Sequence, residues 1–153
     1  MSRNLLVRIA FAVPAIALTL VVLRVGGWWL ALVLSGLGVL GAWEVYGLAR
    51  RQGITPLATL GYVTAAALPV GTLAAGGREA WAQGALYAGT LWLLVVLAVA
   101  MFARGPNGRP LTAVAVTLFG AAYASAPLAF LIAIRHGSGS DQRPGAFFLL
   151  TLL

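Results

Sequence analysis

The stretch GAWEVYGLARRQG, residues 41–53, sets one carboxylate, Glu44, among leucines, valines and tryptophans, with Arg50 and Arg51 just beyond it. A carboxylate in such surroundings does one of two things. It makes a polar contact with a bound solute, a cation or a lipid headgroup, or it reaches the membrane interface and pins helix packing. On a helix, the neighbours of Glu44 at three and four positions are Leu40, Gly41, Gly47 and Leu48, none of which is a partner. Arg51 shares its face two turns on. Gly41 and Gly47 flank it without side-chain bulk, so another helix can come close. The planar guanidinium suits phosphate, which makes Arg50 and Arg51 candidate phosphate contacts. As a pair at the end of an apolar run they serve equally as topology anchors. Glu44, Arg50 and Arg51 are the candidate substrate-binding residues.

The remaining polar residues offer less. His136, the only histidine, has no second metal ligand near it in sequence and reads as a solvated loop residue. Asp141 and Arg143 read as loop charges. Phosphoryl or nucleotidyl transfer in a membrane enzyme normally needs a divalent cation held by several carboxylates. The acids number three, Glu44, Glu79 and Asp141, and the topology derived below puts the last two on the side opposite Glu44. No lysine, glycine-rich phosphate loop or nucleophile–base pair accompanies them, so no catalytic residue and no metal ligand is assigned in this chain. Cysteine is absent, which excludes disulfides and thiolate metal sites.

The elements that must hold these residues are membrane helices. Of 153 residues 61% are hydrophobic and 8% charged, against roughly a quarter charged in a soluble domain, and the mean hydropathy is +0.98. The net charge of +7 comes from arginines at the ends of apolar runs. That placement indicates orientation signals and headgroup contacts, not nucleic acid. A span needs about 20 apolar residues, and the sequence predicts an all-α, polytopic transmembrane helix bundle of one membrane domain over residues 1–153. It has five full spans, at about 7–23, 28–48, 57–75, 81–102 and 111–134, plus the start of a sixth at 145–153. The first follows a basic start without a small-x-small cleavage site and is an uncleaved span. Pro69 interrupts the third span and Pro127 predicts a kink in the fifth, where a neighbouring helix must cover the freed carbonyl. In the fifth span Ala113, Thr117, Ala121 and Ser125 form a row of small residues suited to close packing, and Tyr123 is expected to hydrogen-bond across the bundle or, less commonly, to donate to a substrate. Six arginines (Arg3, Arg8, Arg50, Arg51, Arg104, Arg109) fall on one side and four (Arg24, Arg78, Arg135, Arg143) on the other. That count predicts a cytoplasmic N-terminus. The final run, GAFFLLTLL, reaches about 13.5 Å as a helix, less than half of the hydrocarbon core. It is expected to be the cut start of a span, the chain being the front part of a longer protein.

The order VRIAFAVPAIAL, GGWWLALVLSGLGVLGAWEVYGLARRQGITPLATLG, a variable pair of spans, then TLFGAAYASAPLAFLIAIR resembles the N-terminal half of bacterial phosphatidate cytidylyltransferases, or CDP-diacylglycerol synthases. AWEVYGLAR, with Trp43 and Glu44, and TLFGAAY, with Gly120 and Tyr123, are its most specific pieces. The resemblance implies a magnesium-dependent transfer of CMP from CTP to phosphatidate in phospholipid biosynthesis at a bacterial inner membrane. It implies membrane lipids, phosphatidate and CTP as partners, and allows a homodimer. It further implies that the magnesium ligands and the catalytic acids belong to a C-terminal half this chain lacks, leaving the chain inactive alone. A non-enzymatic small membrane protein, such as a transporter subunit or assembly partner, is the alternative.

Overall fold

The computed structural model describes residues 21–75, 78–105 and 108–136, the side chains of 78–83 and of His136 excepted. Four helices follow a helical stretch at residues 21–25: α1 (Gly27–Arg51), α2 (Ala58–Ala74), α3 (Arg78–Arg104) and α4 (Pro110–His136). Among the described residues the chain is all-helical, without strands. Three segments, Gly27–Arg51, Gly84–Arg104 and Pro110–Arg135, are long and apolar enough to cross a membrane, and the protein is a membrane protein.

The expectation of five full spans and a partial sixth is corrected here. The span expected at 57–75 is a helix of 17 residues, rising about 26 Å against a core of about 30 Å. Its start is set by the linker. Gly53, at φ 76°, donates to the Arg50 carbonyl, and the Ile54 N–H reaches back to Ala49. These bonds close α1 with a left-handed residue, and Pro56 biases the residue before it away from helix. The expected spans 7–23, apart from its last residues, and 145–153 lie outside the described residues. So do Asp141 and Arg143.

Pro69 does not break α2, nor Pro127 α4; both stand inside continuous helices. Pro69 has no N–H to give the carbonyl four residues back, that of Ala65. The Ser125 hydroxyl of α4 supplies the missing donor at 2.5 Å, and Ser35 of α1 donates to the adjoining Ala66 carbonyl at 2.8 Å. Neighbouring helices thus cover the gap, as lipid surroundings demand. Gly38 makes room for this contact, since a Cβ there would come within 2.8 Å of Ser125 Oγ.

α1, α2 and α4 pack mutually, α1 antiparallel to the other two. Two apolar layers stack along them, Leu30, Ala31, Leu34 and Ile132 toward one end and Ala42, Tyr46, Ala65 and Ala121 toward the other. The small-residue row of α4 behaves as expected, Ala113, Thr117, Ala121 and Ser125 all being buried. α3 is the least buried spanning helix. It packs mainly on α4, through Val96 and Ala100 against Val114.

Two loop assignments change. Arg135 and His136 belong to the end of α4, not to the loop after it. Arg135 is buried, 8% exposed, and its guanidinium donates to the carbonyls of Leu23 and, at 3.4 Å, Arg24. Those carbonyls end the 21–25 helical stretch and have no helical donors of their own. Gly26, at φ 64°, turns the chain there directly against the guanidinium.

Candidate functional site

Glu44, Arg50 and Arg51 all line one groove of about 360 Å³ on the outer face of the last two turns of α1, with Trp43, Gly47 and Leu48. Helical rotation explains the grouping. Glu44 and Arg51 are seven residues apart and so nearly aligned, about 10.5 Å apart along the axis, with Gly47 between them. Gly47 forms the floor, since nothing stands within 4 Å of where its Cβ would be. All three charged side chains are exposed. No ion pair involving them forms among the described residues, so Glu44 and the guanidiniums stand apart. The two arginines occupy the last turn of α1, where the carbonyl end of the helix favours cations.

The expectation that glycines beside Glu44 admit another helix holds on one side only. At Gly41 the Ala124 methyl of α4 lies 3.0 Å from the Cβ position, whereas Gly47 stays open. No neighbouring helix supplies a partner for Glu44 among the described residues.

Tyr46 and Gly61, which sequence reasoning passed over, help hold the groove in place. Tyr46, two positions from Glu44, turns inward and is fully buried. Its hydroxyl donates to the Thr117 carbonyl at 2.6 Å. Its ring lies where a Cβ on Gly61 of α2 or Gly120 of α4 would stand, and it meets Tyr62 at 5.5 Å between centroids. The Thr117 hydroxyl accepts the Leu57 N–H at 2.8 Å, fixing the entry to α2. Arg104 at the end of α3 donates to Thr55 Oγ1 at 2.6 Å, tying α3 to the same linker. The signal in the sequence was the pairing of a buried-face tyrosine with Gly61 and Gly120, but it needs the helix register to be read. Tyr123, expected to bond across the bundle, instead faces outward and stacks on Phe119 at 5.8 Å.

The Arg104–Thr55 bond and the antiparallel packing place Arg50, Arg51, Arg104 and Arg109 at one end of the bundle. Arg24 and Arg135 lie at the other. Glu79, in the first turn of α3, is at the end opposite Glu44. With Glu44 and Glu79 at opposite ends of the bundle, the described residues do not assemble a magnesium site. No group of three His, Asp or Glu gathers among them. What the groove can do is bind charge of both signs at a membrane boundary: guanidiniums for an anion, a carboxylate for a cation, an indole at the interface.

In comparison with known proteins, a family model described as the cytidylyltransferase family matches residues 6–152. No match was found among curated proteins or solved structures.

Proposed function

This chain belongs to the cytidylyltransferase family, and from that premise we propose that it is the membrane portion of a phosphatidate cytidylyltransferase of phospholipid biosynthesis. In that reaction a phosphate oxygen of phosphatidate attacks the α-phosphorus of CTP. The α–β bridging P–O bond breaks, its electron pair leaves with pyrophosphate, and CDP-diacylglycerol is formed. The family match over nearly the whole chain carries this reading. Two further features support it: helices long and apolar enough to cross a membrane, and a groove in which Arg50 and Arg51 can meet a lipid phosphate.

The enzyme works in a bacterial inner membrane with the end bearing Arg50, Arg51, Arg104 and Arg109 toward the cytoplasm, where the arginine excess belongs. The described residues supply scaffold and lipid contact. The carboxylates of nucleotidyl transfer come from outside them, and the 153-residue chain does not turn over CTP by itself.

The test reconstitutes the chain in vesicles containing phosphatidate and follows pyrophosphate release and CDP-diacylglycerol formation from labelled CTP and magnesium. A chimera in which this chain replaces the corresponding segment of an active phosphatidate cytidylyltransferase is assayed beside it. The expected result is a silent chain and an active chimera. Turnover by the chain alone refutes the division of labour, and a folded but inactive chimera refutes the assignment.

A further inference from the structure

Phosphatidate accounts for the two arginines and leaves Glu44 unexplained. A carboxylate in the same groove repels a phosphate monoester and lowers the affinity of an anion-only site. Yet Glu44 is not neutralised by its neighbours. It forms no ion pair among the described residues, and the surface at Gly47 between it and Arg51 is open. The groove therefore offers Glu44 and, toward the helix end, Arg51 in line with it and Arg50 round the side, with the open surface at Gly47 between.

The ligand complementary to that pattern is dipolar, with a phosphodiester joined by a few atoms to an ammonium. We infer that the groove seats the headgroup of an aminophospholipid, its phosphate on Arg50 and Arg51 and its primary ammonium on Glu44. Charge complementarity selects this headgroup over an anionic one, which leaves Glu44 facing a phosphate. Chemistry selects it over a choline headgroup, whose quaternary nitrogen has no N–H to donate to the carboxylate. The walls select the lipid over a soluble phosphoamine. Trp43 and Leu48 are both exposed apolar side chains beside the charges, and an indole at that depth belongs to the headgroup boundary with acyl chains below it. The inference rests on the reading of Arg50 and Arg51 as lipid-phosphate contacts. It adds a lipid bound beside the reaction, competing with phosphatidate for the same arginines.

The experiment measures binding of single phospholipids with identical acyl chains to the purified 153-residue chain in detergent, by native mass spectrometry. The lipids are phosphatidylethanolamine, phosphatidylcholine, phosphatidylglycerol and phosphatidate. Phosphatidylethanolamine is expected to bind more tightly than phosphatidylglycerol and phosphatidylcholine. Glu44→Gln should lower that preference about tenfold, the scale of one charge-assisted hydrogen bond, with helical content unchanged because the side chain is exposed. Arg51→Gln should weaken every phospholipid. Equal binding of ethanolamine and glycerol headgroups, or a preference that survives Glu44→Gln, overturns the inference. If phosphatidate still binds through Arg50 and Arg51 in that event, only the aminophospholipid is lost. If no phospholipid responds to Arg51→Gln, the groove is not a headgroup contact and that part of the proposed function falls with it.

Discussion

Ser125→Ala removes one hydroxyl and should expose what Pro69 does to α2. In an unbroken helix the Ala65 carbonyl would accept the N–H of residue 69, which proline lacks. Ser125 Oγ donates to it at 2.5 Å in a fully buried setting. Without the hydroxyl that carbonyl loses a buried partner, at about 1–3 kcal/mol by the general scale for an unsatisfied polar group. Interhelical hydrogen bonds in membranes average nearer 0.6 kcal/mol because the loosened state finds other donors. Here the local helical donor is gone, so we expect about 1.5 kcal/mol. Pro69→Ala returns the N–H but also trims a buried ring, so its own effect mixes two terms. The double-mutant cycle separates them. Once residue 69 can donate, losing Ser125 should matter less, by about 1 kcal/mol of coupling. Reversible unfolding of the four proteins in mixed micelles, followed by circular dichroism, gives all the terms. A Ser125→Ala cost below about 0.3 kcal/mol, or a cost unchanged in the Pro69→Ala background, would refute the reasoning.

Gly61→Ala places a methyl inside the Tyr46 ring, so the same unfolding assay should register about 3 kcal/mol of overpacking. Tyr46→Phe, which loses the bond to Thr117 and keeps the ring, should cost about 1 kcal/mol; a milder effect from Gly61→Ala than from Tyr46→Phe contradicts the packing described. Arg135→Leu leaves the Leu23 and Arg24 carbonyls without their side-chain donor and should speed amide exchange around residues 21–26, with Arg135→Lys intermediate. Arg104→Ala breaks an exposed bond to Thr55 and should change global stability by less than about 0.5 kcal/mol, while local exchange in the 52–57 linker rises. In the active chimera, Glu44→Gln removes a carboxylate that repels the phosphate of phosphatidate and should lower the KM for phosphatidate with folded yield unchanged; unchanged kinetics would return Glu44 to an interfacial role.

Composition and apolar run length were enough to establish a helical membrane protein, because lipid permits few other ways to satisfy a backbone. The order of motifs was enough to establish its family, and spacing alone put Glu44 on the same face as Arg51, because an α-helix repeats every 3.6 residues whatever surrounds it. The small-residue row of α4 was legible for the same reason. Span count was not: the apolar run at 57–75 folds as a helix of 17 residues, Ala58–Ala74, too short by a turn or so to cross the hydrocarbon core straight. Nor could hydropathy show that Arg135 turns inward to cap a helix, since arginine at the end of an apolar run ordinarily faces water. Tertiary packing alone decided which glycine beside Glu44 meets a helix and which stays open. It also matched Ser125 to the carbonyl orphaned by Pro69, and chose Tyr46 as the post between Gly61 and Gly120. Those choices depend on the rotation and depth of one helix against another, which arise from contacts between residues on different helices and leave no periodic trace along the chain.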